Sequence, residues 1–151
     1  MLGDNLTGDA LLAYAAGIID GEGSISIYHI PRDNGRKRCA LRVIVGNTDP
    51  WLIRFLQVNF GGSVHCRHLH LRNPNHNDCW IWTATTTQAG QFLYKILPYL
   101  CLKRSQAEIA LKWWERRRNT GHTLTDAEQA LDEADRLLML SCNSRKGKEV
   151  A

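Results

Sequence analysis

Residues 15–25 read AAGIIDGEGSI, in which an apolar run, LLAYAAGII, ends on two acids set among glycines, Asp20-Gly21-Glu22-Gly23. The run has helical spacing: Leu11, Ala15 and Ile18 share one face, with Leu12 and Ile19 beside it. Ala13, Ala16, Gly17 and Asp20 form a second face of small residues, where another backbone can approach closely. From Ser24 the period changes to two, with Ile25 and Ile27 on one side and Ser24, Ser26 and Tyr28 on the other. A helix buried on two faces therefore feeds directly into a strand with one polar face. The turn between them needs its glycines but has no structural need of both acids.

The rest of the chain repeats this order. Thr7 to Asp20 reads as the first helix, with Thr7 as cap and Asp9 in the first turn, where the helix dipole favours an anion. A basic turn, PRDNGRKR, leads to a second strand over 38–47, with Leu41, Val43 and Val45 on one face and Arg38, Ala40, Arg42 and Ile44 on the other. Asp49-Pro50 opens a helix that Gly61-Gly62 stops. A second hairpin follows, with a strand over 63–71, the turn RNPNHND and the return strand CWIWTA. Helices are predicted over 85–97 and 103–118, and a capping box at Thr125 and Glu128 opens a last one toward Leu140. Helix, two strands, helix, two strands, then helices implies an α+β domain, a four-stranded antiparallel sheet backed by helices.

The bulk numbers agree. A chain of 151 residues, 44% hydrophobic and 23% charged, suits one folded domain, here with a core over about 8–140 and a frayed basic tail over 141–151. A net charge of +4 permits a polyanionic partner without requiring one. Cys39, Cys66, Cys79, Cys101 and Cys142 contain no CxxC pair and read as free thiols. The first apolar run lacks a basic leader and, at about ten residues, is too short to span a bilayer. A soluble intracellular protein, of cytoplasm or organelle matrix, with no membrane partner is the expectation.

Two clusters read as structural. HCRHLH at 65–70, near His76 and Cys79, reads against zinc, because strand neighbours at i and i+2 close a tetrahedron poorly. Trp51, Trp80, Trp82, Trp113 and Trp114 read as core or interface.

AAGIIDGEG resembles the motif of the LAGLIDADG homing endonucleases. The resemblance extends through VIVGNTDPWLIRFLQVNFGG, through Trp82 and the helix after it, and through LPYLCLKRSQAEIAL and LTDAEQALDEADRLL, so it covers roughly residues 8–140. It implies a saddle of four antiparallel strands that sits on double-stranded DNA, in the order αββαββα. One motif in a chain of this length implies a homodimer, paired through Ala13, Ala16, Gly17 and Asp20, that acts on a palindromic or pseudo-palindromic site. The implied activity is site-specific, divalent-metal-dependent double-strand cleavage, from genes carried in introns, in inteins or free-standing. An RNA maturase or a non-cleaving DNA-binding regulator on the same fold is the alternative.

The same resemblance assigns roles. Glu22 stands where the motif has its second Asp, and with the Gly21 carbonyl it would hold Mg²⁺, which Mn²⁺ or Ca²⁺ can replace for binding. Lys103 matches the active-site lysine, and Asn47 the polar residue that holds a water. No organic cofactor is implied. On the polar sheet face, Arg38, Arg42 and Arg67 suit guanine, and Ser26, Tyr28, His65 and Thr83 suit weaker contacts. Ile30, Ile44 and Ile81, with Ala40 beside them, suit thymine methyls. Arg32 belongs to the same DNA-binding face, and Arg36, Lys37 and Arg116 to Arg118 are the expected phosphate contacts.

Overall fold

The computed structural model describes residues 6–33, 35 and 37–144. Its elements follow the expected order: α1 (Gly8–Glu22), β1 (Gly23–Pro31), β2 (Lys37–Asn47), α2 (Pro50–Phe60), β3 (Ser63–Arg67), β4 (Cys79–Thr85), α3 (Thr86–Ile96), α4 (Arg104–Arg118) and α5 (Asp126–Asn143). The strands form one antiparallel sheet in the order β1-β2-β4-β3. Among the described residues no helix is long and apolar enough to cross a membrane.

Period-two patterning decides which face of the sheet is covered. Ile25, Ile27, Leu41, Val43, Val45, Trp82 and Ala84 are buried, and the core continues through Ile19, Ile53, Leu56, Phe92, Leu93 and Trp113 of the helices. Each large side chain removed from water contributes about 1.5–3 kcal/mol. Trp82 fixes the corner between α2 and β4, because its indole N–H donates to the Gly61 carbonyl at 2.7 Å. Gly61 and Gly62 have φ of 72° and 95°, the left-handed region that releases the chain from α2.

Caps hold the helix starts as the sequence implies, with one exception. Asp49 Oδ1 accepts from the Trp51 amide at 2.9 Å, and the Thr125–Glu128 capping box is complete. Thr7 has the extended backbone of a cap, but its side chain makes no capping bond.

Three boundaries differ from expectation. Helix α1 continues through Gly21 to Glu22, two residues further than its apolar pattern. Strand β3 ends at Arg67 rather than Leu71, because Leu69–Leu71 curl into a 3-10 turn. Helix α5 runs on into the expected tail as far as Asn143, whose Nδ2 donates to the Ile25 carbonyl at 2.8 Å. Residues 145–151 of that tail lie outside the described residues.

The largest correction concerns the arginines that end α4. Arg116 donates to Asp132 at 3.2 Å and to Asp135 at 2.6 Å, and Arg117 donates to Asp132 at 2.8 Å and to the Glu128 carbonyl at 3.1 Å. Asp132 is 3% exposed, so the pairs are shielded from water. These two arginines bolt α4 to α5 and are not phosphate contacts. Only Arg118 stays on the surface, stacked over the Trp114 ring at 4.9 Å.

Replacing Asp132 by Ala strands the Arg117 charge, whose side chain is 9% exposed. Urea unfolding is expected to report a loss of about 3–5 kcal/mol. Glu108→Ala, which breaks the open Arg104–Glu108 pair, is expected to cost no more than about 0.5 kcal/mol.

Candidate nucleic-acid interface and acid turn

The end of α1 is built around one carboxylate. Asp20 Oδ2 accepts from the Cys101 amide at 2.9 Å, and Oδ1 accepts from the Lys103 amide at 2.9 Å. Partial burial pushes this carboxyl up, but the amides of Cys101, Lys103 and Leu102 and the Lys103 charge outweigh it and hold the acid below the usual 3.8. Asp20 is thus a structural acid that pins α1 to the start of α4. Both of its oxygens are engaged by amides, which leaves the second acid for other work.

Lys103 comes to the same place from the far side. Its ammonium donates to the Ile19 carbonyl at 2.8 Å and to the Asp20 carbonyl at 2.9 Å. The Ile19 carbonyl also accepts from the Gly23 amide, whereas carbonyls beyond it at the helix end lack i+4 amide partners, and the dipole leaves that end partly negative. Ending α1 on two acids costs about 0.3–1 kcal/mol for each uncompensated charge. The Lys103 ammonium offsets this.

Glu22 is the last residue of α1 and is exposed, and among the described residues no hydrogen bond or ion pair engages its carboxylate. The Gly21 carbonyl falls in the same orphan turn. Gly23 is obligatory for packing, since a Cβ there would lie 2.8 Å from the Ile19 backbone. An oxygen donor at a negative helix end, a carbonyl beside it and free access from solvent form a set suited to a hard divalent cation.

The β1–β2 ladder places Gly23 opposite Val45, so Asn47 ends the same edge of the sheet that Glu22 begins. Its Oδ1 accepts from the Asp49 amide at 2.8 Å, which makes Asn47 a turn-forming residue. Glu22 and Lys103 therefore share one helix end, whereas the Asn47 carbonyl oxygen is committed to its own turn.

One exposed stripe of α1 is made of small side chains. Ala13, Gly17 and Gly21 follow each other at helical spacing, flanked by Ala10 and by Tyr14, which is 38% exposed. A Cβ added at Gly17 or Gly21 would meet nothing within 4 Å. Ala16 does not belong to this stripe. It is fully buried in the core of its own subunit, because it lies with Ala15 and Ile19 on the inward side of the helix. Ala10, Tyr14 and Gly21 are the stripe residues that the small-face pattern missed. Running the i+4 spacing on to Gly21 finds one of them.

The uncovered sheet face carries most of the expected contact residues. Rows of partners cross it: Ser24, Ile44, Thr83 and Ser63 in one, Ser26, Arg42 and Thr85 in the next. Ile30 pairs with Arg38, and His65 and Arg67 continue the face on β3. Ser24, Ser63 and Thr85 are exposed members that strand parity alone identifies. Arg32 and Lys37 are exposed at the hairpin end, and Arg36 lies outside the described residues. Arg42 is half-buried, its guanidinium 4.5 Å above the Tyr28 ring. Ala40 and Ile81 are on this face but only 4% and 7% exposed, Ala40 opposite Tyr28 and Ile81 between Gly46 and His65. They support the surface and do not reach out from it.

Comparison with known proteins gives a consistent picture. No family profile matches the chain. DNA endonuclease I-CvuI of Chlorella vulgaris is 26% identical over 134 residues, covering 89% of this chain and 81% of that protein. The structure of homing endonuclease I-CvuI with its target in the presence of Ca superposes with a TM-score of 0.68 at 22% identity over 93% of this chain and 85% of that one. The archaeal intron-encoded homing endonuclease I-Vdi141I complexed with DNA gives 0.72 at 16% identity over 93% and 87%. The LAGLIDADG homing endonuclease I-LtrWI bound to target DNA gives 0.65 at 18%, covering 88% of this chain but 44% of that one.

The Asp20 joint has a definite pH dependence. A carboxyl held below its ordinary 3.8 stabilises the fold fully above that value, and the contribution is lost as pH falls below it. Asp20→Asn is expected to lose about 1–3 kcal/mol near neutrality, with the gap to the unmodified protein closing in acid. Thermal unfolding across that pH range measures it.

Proposed function

We infer, from the premise that this chain belongs to the single-motif LAGLIDADG homing endonucleases, that it is a site-specific, divalent-metal-dependent double-strand DNA endonuclease acting as a homodimer. The observation that carries this reading is the unengaged Glu22 carboxylate at the end of α1. Glu22 ends the helix turn whose Ile19 and Asp20 carbonyls accept from the Lys103 ammonium, on a helix whose exposed small-residue stripe leads to the edge of an uncovered polar sheet.

Two copies paired along Ala10, Ala13, Gly17 and Gly21 bring their α1 ends together at the two-fold axis. The absence of side chains on Gly17 and Gly21 lets the two backbones approach closely. Symmetry then gives two equivalent acid turns and a palindromic or pseudo-palindromic target. The two sheets form one continuous saddle over the duplex. Arg38, Arg42 and Arg67 read guanine edges, and Ser26, Tyr28, His65, Thr83, Ile30 and Ile44 supply polar and apolar contacts around them. Arg32, Arg36, Lys37 and Arg118 meet the phosphates.

The residues at the acid turn fit Mg²⁺, with Glu22 as its carboxylate and Gly21 as its carbonyl ligand. When bound, the ion neutralises charge developing on the scissile phosphate and lowers the pKa of an attacking water. The I-CvuI complexes formed in the presence of Ca or of Mg support a divalent requirement. Lys103 acts from beneath the turn: its charge stabilises the pentavalent phosphate while its bonds to Ile19 and Asp20 hold the helix end still. Asn47 has its side-chain N–H₂ left to orient a water at the same edge of the sheet.

The test is a supercoiled plasmid library of near-palindromic inserts, incubated with Mg²⁺ or with EDTA. Linear product is expected in Mg²⁺ only. Glu22→Gln is expected to slow cleavage by at least about 100-fold, or 2.7 kcal/mol, while leaving DNA binding intact. A protein that shifts DNA but leaves it whole in Mg²⁺ would be a regulator or a maturase instead. Gly17→Leu is expected to convert the dimer to monomer in analytical ultracentrifugation and to abolish cleavage with the fold retained.

A further inference from the structure

The β3–β4 hairpin gathers four metal-ligating side chains that the cleavage reading does not use. Cys66 Sγ lies 3.8 Å from His68 Nδ1, and His68 Nδ1 lies 3.1 Å from Asp78 Oδ2. His70 Nδ1 contacts the other Asp78 oxygen at 2.5 Å. One donor atom from each of Cys66, His68 and Asp78 falls within 4.8 Å of the other two. From these juxtapositions we propose that Cys66, His68 and Asp78 bind a zinc ion, with His70 holding the second Asp78 oxygen and the fourth position open to water.

The spacing suits the metal. Zn–S near 2.3 Å and Zn–N or Zn–O near 2.0–2.1 Å put tetrahedral ligand atoms roughly 3.3–3.6 Å apart. The observed separations of 3.1 and 3.8 Å bracket that range. A thiol, an imidazole and a carboxylate together favour zinc over magnesium. A carboxylate ligand steadied by an imidazole is the outer-shell arrangement that metal sites use. The objection that i and i+2 residues of a strand diverge does not hold here. The strand stops at Arg67, and the 3-10 turn Leu69–Leu71 brings His70 back onto Asp78. The loop is further shaped by Asn73, whose Oδ1 accepts from the Asn75 amide at 3.0 Å.

A second group, His29, Cys39 and Glu133, is equally compact but already employed. Arg136 forks onto Glu133 at 2.6 and 2.9 Å, and burial first, then Asp132 and Glu133, pushes the Cys39 thiol up to about 11. At the hairpin the side chains of His68 and His70 are about half exposed, so the ion can enter.

The site has a structural consequence. Strand β3 is an edge strand held by β4 alone, and Cys66 alternates with His65 and Arg67, which look onto the open face. Zinc clips the base of the 68–78 loop from behind and fixes those two side chains in register.

The test uses the full chain, stripped with a chelator and kept in excess Mg²⁺ so that the acid turn does not compete. Zn²⁺ is titrated against a chromophoric chelator, and Co²⁺ serves as the spectroscopic probe. One equivalent per chain is expected, with thiolate-to-cobalt charge-transfer absorption. Cys66→Ser should abolish that absorption, and Cys66→Ser and Asp78→Asn should each weaken Zn²⁺ binding at least 10-fold. His70→Ala should weaken it about 10–100-fold. Cys39→Ser and Cys79→Ser should change neither readout. Hydrogen exchange of the 68–78 amides should slow on adding Zn²⁺, and circular dichroism confirms that each variant folds. Absence of Zn²⁺ binding, binding indifferent to Cys66→Ser, or loss of absorption in Cys39→Ser would each overturn the site.

Discussion

The joint between Asp20 and the segment at Cys101–Lys103 is the contact on which this molecule turns. Two hydrogen bonds from backbone amides and two from one ammonium connect residues more than eighty positions apart. They fix where α1 ends, how it meets the first strand and where α4 begins. A helix end carrying two acids is electrostatically awkward, and this one persists because a lysine from another helix supplies the missing positive charge. With Asp20 spent on that structural work, Glu22 remains as the acid that faces solvent. The division of labour between two carboxylates two residues apart follows from partners, not from the carboxylates themselves.

The sheet gives the rest of the molecule its two sides. One side is an apolar layer continuous with five helices, and the other has little to cover it and is rich in serine, threonine, arginine and histidine. Antiparallel sheets tolerate this asymmetry because each strand alternates in and out. Exposure, however, is not uniform along the polar side. Ala40 and Ile81 have the right parity and yet are almost fully buried on the two central strands.

Charge is distributed by packing as much as by composition. Arg116, Arg117 and Arg118 are consecutive and look alike in the sequence. The first two are consumed by Asp132, Asp135 and the Glu128 carbonyl, and the third lies open on Trp114. Helical geometry sends consecutive side chains about 100° apart, so Arg116 and Arg117 converge on Asp132 from two directions while Arg118 turns away from it. Glu133 behaves in the same way. Hydrogen bonds from Arg136, opposed by slight burial and aided by His29, hold its carboxyl down to about 2, and it ties α5 to β1.

Local sequence determined the element order, the hydrophobic face of every strand, the caps at Asp49 and Thr125, the glycine exit at Gly61-Gly62 and the candidacy of Glu22. Each of these rests on a period of two or 3.6 or on short-range hydrogen bonding, and a handful of adjacent residues is enough to specify it. Tertiary structure alone decided the rest. Ala16 turned inward, Arg116 and Arg117 found acids on α5, and the strand over 63–71 broke at Arg67 to bring His68 and His70 onto Asp78. These outcomes depend on which distant group arrives opposite a side chain, and that is fixed by the packing of whole elements against one another.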